Sequence, residues 1–319
     1  MDSTDSILVL GAGELGLSVL RALAASPPAG TTLSVLLRPT TLSSRPYDAE
    51  LKHLGISIVN ADVGALSATA IADIFAAGCY TAILSCVGFA AGAGTQRKIT
   101  EAVLLAAAAQ RRRIRFIPWQ FGVDYDVIGV GSPQPLFDEQ LQVRALLRAQ
   151  PDELVQWRVV STGIFTSFLF EPAFGVVELG AEDENPTCRA LGGWETEITV
   201  TTPEDIGMLT ARVVSDTAVW ATGSPNVVFT AGETLSYGRL AQIVESVTGR
   251  RAEKEVWTAE ALERELAADP EDTMRKYRAV FALGNGVAWP IEDTYNFGHG
   301  IRLVGVEEWL LEHQSKRRP

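Results

Sequence analysis

Residues 6–26 read SILVLGAGELGLSVLRALAAS, and this stretch decides the fold. SILVL (6–10) is an uninterrupted apolar run of strand length, and ELGLSVLRALAAS (14–26) carries its apolar residues at helical spacing. Between them Gly11, Gly13 and Gly16 form G-x-G-x-x-G, with Glu14 and Leu15 inside the same turn. In a strand–turn–helix setting the first glycine permits the tight turn and the second lets the backbone approach a pyrophosphate. The third allows close helix–strand packing, and the helix N-terminus faces the anion. The stretch therefore predicts a dinucleotide site.

Working outward, β-like runs at 32–38, 56–62, 81–88, 114–119 and 155–163 predict further strands, and 66–77, 94–109 and 135–149 predict helices between them. Strands without polar alternation, separated by helices, imply a parallel sheet covered on both faces. The expected fold class is α/β, a Rossmann doubly wound sheet. After residue 163 the pattern loosens: TGIFTSFLFEPAFGVVELG (162–180) is aromatic and aperiodic and suits a pocket wall or lid. A strand and a helix starting with Pro203 follow, then a strand at 226–232 and helices at 236–248, 258–268, 271–282 and 304–313. The expected organisation is a nucleotide-binding domain over 1–162, with returns near 195–215 and 225–232. A smaller, interleaved substrate domain takes most of 163–319.

The second strand discriminates between cofactors. It ends VLLRPTT (35–41), with Arg38 where a carboxylate would hold the ribose hydroxyls of NAD, and Thr40 just beyond. A guanidinium there pairs with a 2′-phosphate, so NADP(H) is expected. ILSCVG (83–88) ends the fourth strand beside the topological switch point, which places Ser85, Cys86 and Val87 along the nicotinamide half. Cys86 reads as a packing residue, with no histidine near it in sequence.

A net charge of −12 disfavours nucleic-acid binding. Three cysteines without CxxC spacing suit a reducing compartment, and three scattered histidines give no metal-ligand pattern. The longest apolar run, AVLLAAAA (102–109), is too short to span a bilayer. A soluble cytoplasmic protein, monomer or homodimer, without a metal or membrane partner is expected. No tyrosine is followed by a lysine four residues later, and no GxSxG elbow occurs.

GAGELG (11–16), the arginine closing the second strand, FIPWQFGVDYD (116–126), FDEQLQVR (137–144) and TTPEDIG (201–207) together resemble the NmrA-like, isoflavone-reductase-like group of atypical short-chain dehydrogenases, and most of all its fungal members. The resemblance implies NADP(H)-dependent reduction of a small molecule. In the plant reductases of that group the segment matching FDEQ ends in a lysine that serves as general acid or base and touches the nicotinamide ribose. Its counterpart here is Gln140. Phe165 matches a phenylalanine packed near the nicotinamide.

An amide hydrogen-bonds but cannot supply a proton, and general acid–base catalysis is worth roughly 10²–10⁴-fold. Three outcomes stay open at this point. The substrate is an imine, iminium, quinone methide or conjugated acceptor that needs no proton. Or another group, Tyr125, Asp124 or Glu139, supplies it. Or no hydride moves, and the protein is a redox-neutral cyclase of the Pictet–Spengler type or a cofactor-sensing regulator. Trp119, Phe121, Tyr125, Phe168, Phe174 and Trp194 suggest a pocket for a flat aromatic or heterocyclic ligand, a secondary metabolite, with NADPH-dependent reduction as the leading reading.

Overall fold

A computed structural model of the chain describes residues 5–27, 30–39, 47–88, 92–181 and 184–315. Thr40, expected at the cofactor, lies outside them. The chain divides into two compact units. Met1–Gln120, Glu139–Val160 and Ile206–Val228 form the first; Phe121–Asp138, Ser161–Asp205 and Phe229–Pro319 form the second. Segments 121–138 and 195–205, expected in the nucleotide-binding domain, thus fall in the second unit.

The first unit opens with β1 (Ser6–Leu10), α1 (Glu14–Ala25), β2 (Thr32–Leu37), α2 (Asp48–His53), β3 (Ser57–Asn60), α3 (Ala68–Ala77), β4 (Ala82–Ser85), α4 (Thr95–Gln110) and β5 (Ile114–Ile117). Past a short helix of the second unit, α5 (Tyr125–Ile128), come α6 (Leu136–Arg148), β6 (Val155–Trp157) and β7 (Val159–Ser161). Six strands form one sheet in the order β3-β2-β1-β4-β5-β6, all parallel. The order reverses between β1 and β4, where such sheets bind their ligands. Ile7 to Leu10 of β1 are all buried, so both faces of this central strand are covered; on one of them Leu8 and Leu10 share a core with Phe75 of α3, Ile99 and Val103 of α4, and Trp157 of β6. Each fully buried side chain of this kind contributes about 1.5–3 kcal/mol.

The run 155–163, expected as one strand, is two. β6 pairs with β5, whereas β7 pairs with β12 (Val227–Phe229). The break falls at Arg158, whose N–H donates to Phe116 O (3.0 Å). Its guanidinium donates to Val219 O (2.6 Å), Trp157 O (2.7 Å) and Asn226 Oδ1 (2.9 Å). A buried arginine satisfied by carbonyls holds the chain where it leaves the sheet, an arrangement that strand propensity does not register.

The second unit adds β8 (Ile164–Phe165), β9 (Val177–Glu178), β10 (Thr187–Leu191), β11 (Glu197–Thr201), β13 (Glu233–Ser236) and β14 (Glu253–Trp257), in two three-stranded sheets, β14-β10-β9 and β13-β11-β8. Helices α8 (Tyr237–Thr248), α9 (Ala259–Ala268), α10 (Thr273–Ala282), α11 (Tyr295–Gly298) and α12 (Val306–Ser315) complete it, and α7 (Pro203–Ser215) begins in it. The aperiodic stretch 162–180 holds only two-residue strands and a 3₁₀ turn, Thr166–Phe170. In TTPEDIG, the Thr202 hydroxyl accepts the Asp205 N–H (3.1 Å) and donates to its carboxylate (3.0 Å). That motif is the N-terminal cap of α7. No helix among the described residues is long and apolar enough to cross a membrane.

Candidate active site

A cleft of about 570 Å³ opens at the carboxyl ends of β1 to β4, all within the first unit. Gly11, Ala12 and Gly13 line it after β1, Leu36 to Arg38 at the end of β2, Ala61 to Gly64 after β3, and Cys86 to Gly88 after β4. Gly11 has φ +88°, a conformation that favours glycine. A Cβ on Gly16 would run into the carbonyl oxygen of Gly11, so the turn and the first helical turn pack only with glycine there. A Cβ on Gly13 would meet nothing within 4 Å, which leaves its backbone open toward the cleft.

The first intrahelical bond of α1 runs from Leu17 N to Gly13 O (2.9 Å), so the N–H groups of Glu14, Leu15 and Gly16 precede it. Leu15 itself is buried in the core and contributes only backbone. Arg38 is exposed at the rim of the cleft. Ser85 is fully buried at the end of β4, in register with Leu10, and its hydroxyl finds no partner among the described residues. These features fit a dinucleotide: open backbone and a helix N-terminus for the pyrophosphate, and a cation at the rim.

Cys86 lines the cleft but is buried, and burial pushes its thiol up to about 12. It stays a neutral packing residue, as expected. The Val87 carbonyl accepts from Gln96 Nε2 at 2.7 Å. Trp119 lies against Gly88, where an added Cβ would stand 3.4 Å from its ring. Tyr47 and the Asp62 turn, whose Oδ1 accepts Gly64 N–H (2.8 Å), also line the cleft; no motif announced them.

Gln140, on α6, is 0% exposed, and neither atom of its amide has a partner among the described residues. Its carbonyl accepts from Gln120 Nε2 (2.9 Å), and Gln120 Oε1 accepts from Arg144 Nε (2.8 Å). Gln120 and Arg144 are both buried polar residues that the sequence pattern did not single out. Glu139 spends both carboxylate oxygens on the N–H groups of Gly94, Gln96 and Arg97 at the start of α4.

The remaining candidates belong to the second unit. Asp124 caps α5 by accepting Asp126 N–H (3.1 Å). Tyr125 is buried, with its hydroxyl against Gly122. Tyr125, Phe168 and Phe174 join one chain of ring contacts: Tyr125–Phe137 (5.1 Å between centroids), Phe137–Tyr277 (5.9 Å), Tyr277–Phe168 (5.8 Å), Phe168–Phe174 (4.6 Å) and Phe174–Phe281 (6.1 Å). Phe168 and Tyr277 are its half-exposed members. Burial also pushes the Tyr277 phenol up, which keeps it protonated. Phe121 and Trp194 are not part of this chain among the described residues. Phe121 is buried, and the carbonyl of half-buried Trp194 accepts Gly238 N–H (2.9 Å). Phe165 is half-buried on β8, in register with Thr201.

Strand order, glycine turn and cleft define a Rossmann-type dinucleotide-binding protein. The NmrA-like family model matches residues 3–295, and the chain belongs to that family. An NmrA-like family domain-containing oxidoreductase of Gibberella moniliformis (strain M3125 / FGSC 7600) is 44% identical over 316 residues, 97% of this chain and 98% of the relative. The crystal structure of isoflavone reductase is similar with a TM-score of 0.74 at 19% identity, over 98% of this chain and 100% of that one. AtPrR2, solved with NADP+ and (+)pinoresinol, is similar with a TM-score of 0.75 at 16% identity, over 98% and 99%. At these identities the solved structures share the fold.

Proposed function

We propose that the protein is an NADPH-dependent oxidoreductase acting on a planar aromatic or heterocyclic molecule that is already electrophilic, such as an iminium, a quinone methide or a conjugated acceptor. The observation that carries the reading is the cleft at the ends of β1 to β4, with its glycine turn, the N-terminus of α1 and Arg38 at the rim. The cofactor, when bound, supplies a hydride. Arg38 would pair with the 2′-phosphate, the α1 N–H groups with the pyrophosphate, and Ser85 and the Val87 backbone would border the nicotinamide half.

Gln140 offers a wholly buried, unpaired amide, able to orient a polar atom by hydrogen bonds and unable to protonate it. Asp124 and Glu139 are engaged as helix caps, which disfavours both as proton donors. The ring chain through Phe168 and Tyr277 supports a flat ligand. The relative named an oxidoreductase and the neighbour solved with NADP+ and (+)pinoresinol support the class.

The test is to denature the purified protein and identify any released nucleotide. Absorbance of the reduced nicotinamide is then followed with imines, enones, quinones and simple aromatic ketones. Consumption with the activated electrophiles and not the ketones is expected. NADPH that binds but is never oxidised, while an added substrate disappears, would replace this reading by redox-neutral cyclisation.

A further inference from the structure

Glu139 stands one residue before Gln140 on α6, yet its side chain serves another helix. Its Oε2 accepts the N–H of Gly94 (2.9 Å), and its Oε1 accepts those of Gln96 (2.8 Å) and Arg97 (3.2 Å). Such N–H groups have no carbonyl inside their own helix. The residue in the cap position of α4 is Gly94, which has no side chain to offer, so the cap is borrowed from α6. Gln96 then reaches in the other direction, its Nε2 donating to the carbonyl of Val87 in the wall of the dinucleotide cleft (2.7 Å). Glu139 is 9% exposed and Gln96 4%, so water competes little for these bonds. The same turn of α6 is also held by Gln120, which donates to Gln140 O and accepts from Arg144.

We infer that Glu139 and Gln96 are positioning residues that couple the cofactor-lining carbonyl of Val87 to the turn of α6 carrying Gln140. Neither touches the reacting atoms. Glu139 fixes where α4 begins, and through Gln96 this fixes where the segment after β4 meets the nicotinamide half. The inference rests on the reading of this cleft as the NADP(H) site.

Gln96→Leu removes the donor to Val87 and leaves the backbone cap in place. The loss of one buried hydrogen bond should weaken NADPH binding about tenfold, read by nucleotide fluorescence. The melting temperature of the nucleotide-free protein should stay within about 4 °C of the parent. Glu139→Ala should weaken NADPH binding at least as much, and Glu139→Gln, which keeps one acceptor oxygen, should recover part of it. In the double variant Gln96→Leu/Glu139→Ala the losses should not add, because both act on one carbonyl. With a turnover substrate in hand, the KM for NADPH should rise more than kcat falls.

If either single substitution lowers the melting temperature and leaves the NADPH dissociation constant unchanged, the residues are structural and the inference is overturned. Additive losses would break the coupling between them. An unsubstituted protein that binds no NADPH would instead remove the cofactor reading, and this inference with it.

Discussion

Arg38 lines the rim of the cleft, and the proposed function pairs it with the phosphate by which the two nicotinamide cofactors differ. Arg38→Asp should weaken NADPH binding by about 10–100-fold, the worth of a charge-assisted hydrogen bond, and leave NADH unchanged or improved. An unchanged NADPH/NADH affinity ratio would refute the assignment. Gln140 is a different case, a buried amide without partners. Gln140→Leu keeps the volume and removes the unsatisfied atoms, so unfolding free energy should rise by about 1–3 kcal/mol in denaturant titrations. Turnover should fall by roughly tenfold or less; a loss of roughly 10²–10³ would mean that the amide's hydrogen bonds stabilise the transition state directly. Cys86 and Cys188 are both buried with thiols pushed up to about 12. In the unfolded chain they ionise near 9. Above that pH the unfolded state binds fewer protons than the native state, so stability present below pH 9 is lost as pH rises toward 12. Each thiol contributes at most about 1.4 kcal/mol per pH unit, and Cys188→Ala should flatten the decline measured between pH 9 and 11.

Among the elements, the helix starts carry much of the specification. Ser67 caps α3 by accepting Ala70 N–H, a bond within three residues that a sequence pattern can anticipate. Ser67→Ala should cost about 1 kcal/mol, seen as a lower urea midpoint with an unchanged m-value. α4 has no local cap and takes Glu139 from 45 residues away, a partner that no pattern along the chain announces. The run 155–163 illustrates the same boundary. Val155, Trp157, Val159 and Val160 all favour strand, and only the pairing of β6 with β5 and of β7 with β12 divides the run. β14 is the converse: EKEVW opens with three charged residues and is mostly exposed, and it is a strand in parallel pairing with β10.

For the whole molecule, a ligand that binds only the folded state stabilises it by mass action. NADP+ at 100 times its dissociation constant should add about 2.7 kcal/mol to unfolding, and NAD+ at the same concentration much less. Equal thermal shifts from the two nucleotides would contradict the discrimination assigned to Arg38. The two compact units are each assembled from separated stretches, with Phe121–Asp138 joining the second although its neighbours in sequence join the first. Composition changes little across those crossings, so the chain alone suggested a boundary near 162.

By itself the sequence determined what depends on neighbours along the chain: the alternation of strands and helices, the glycine turn from Gly11 to Gly16, and the arginine ending β2. Backbone conformation and burial periodicity act over a few residues, and so they are legible there. Only the tertiary structure decided that Glu139 caps α4, that Gln96 holds Val87, that Gln120 and Arg144 brace the turn of Gln140, and that Tyr277 joins Phe168 to Phe137. A buried hydrogen bond or ring contact between distant residues is fixed by where packing brings its partners, and the residue type of either one alone allows many others.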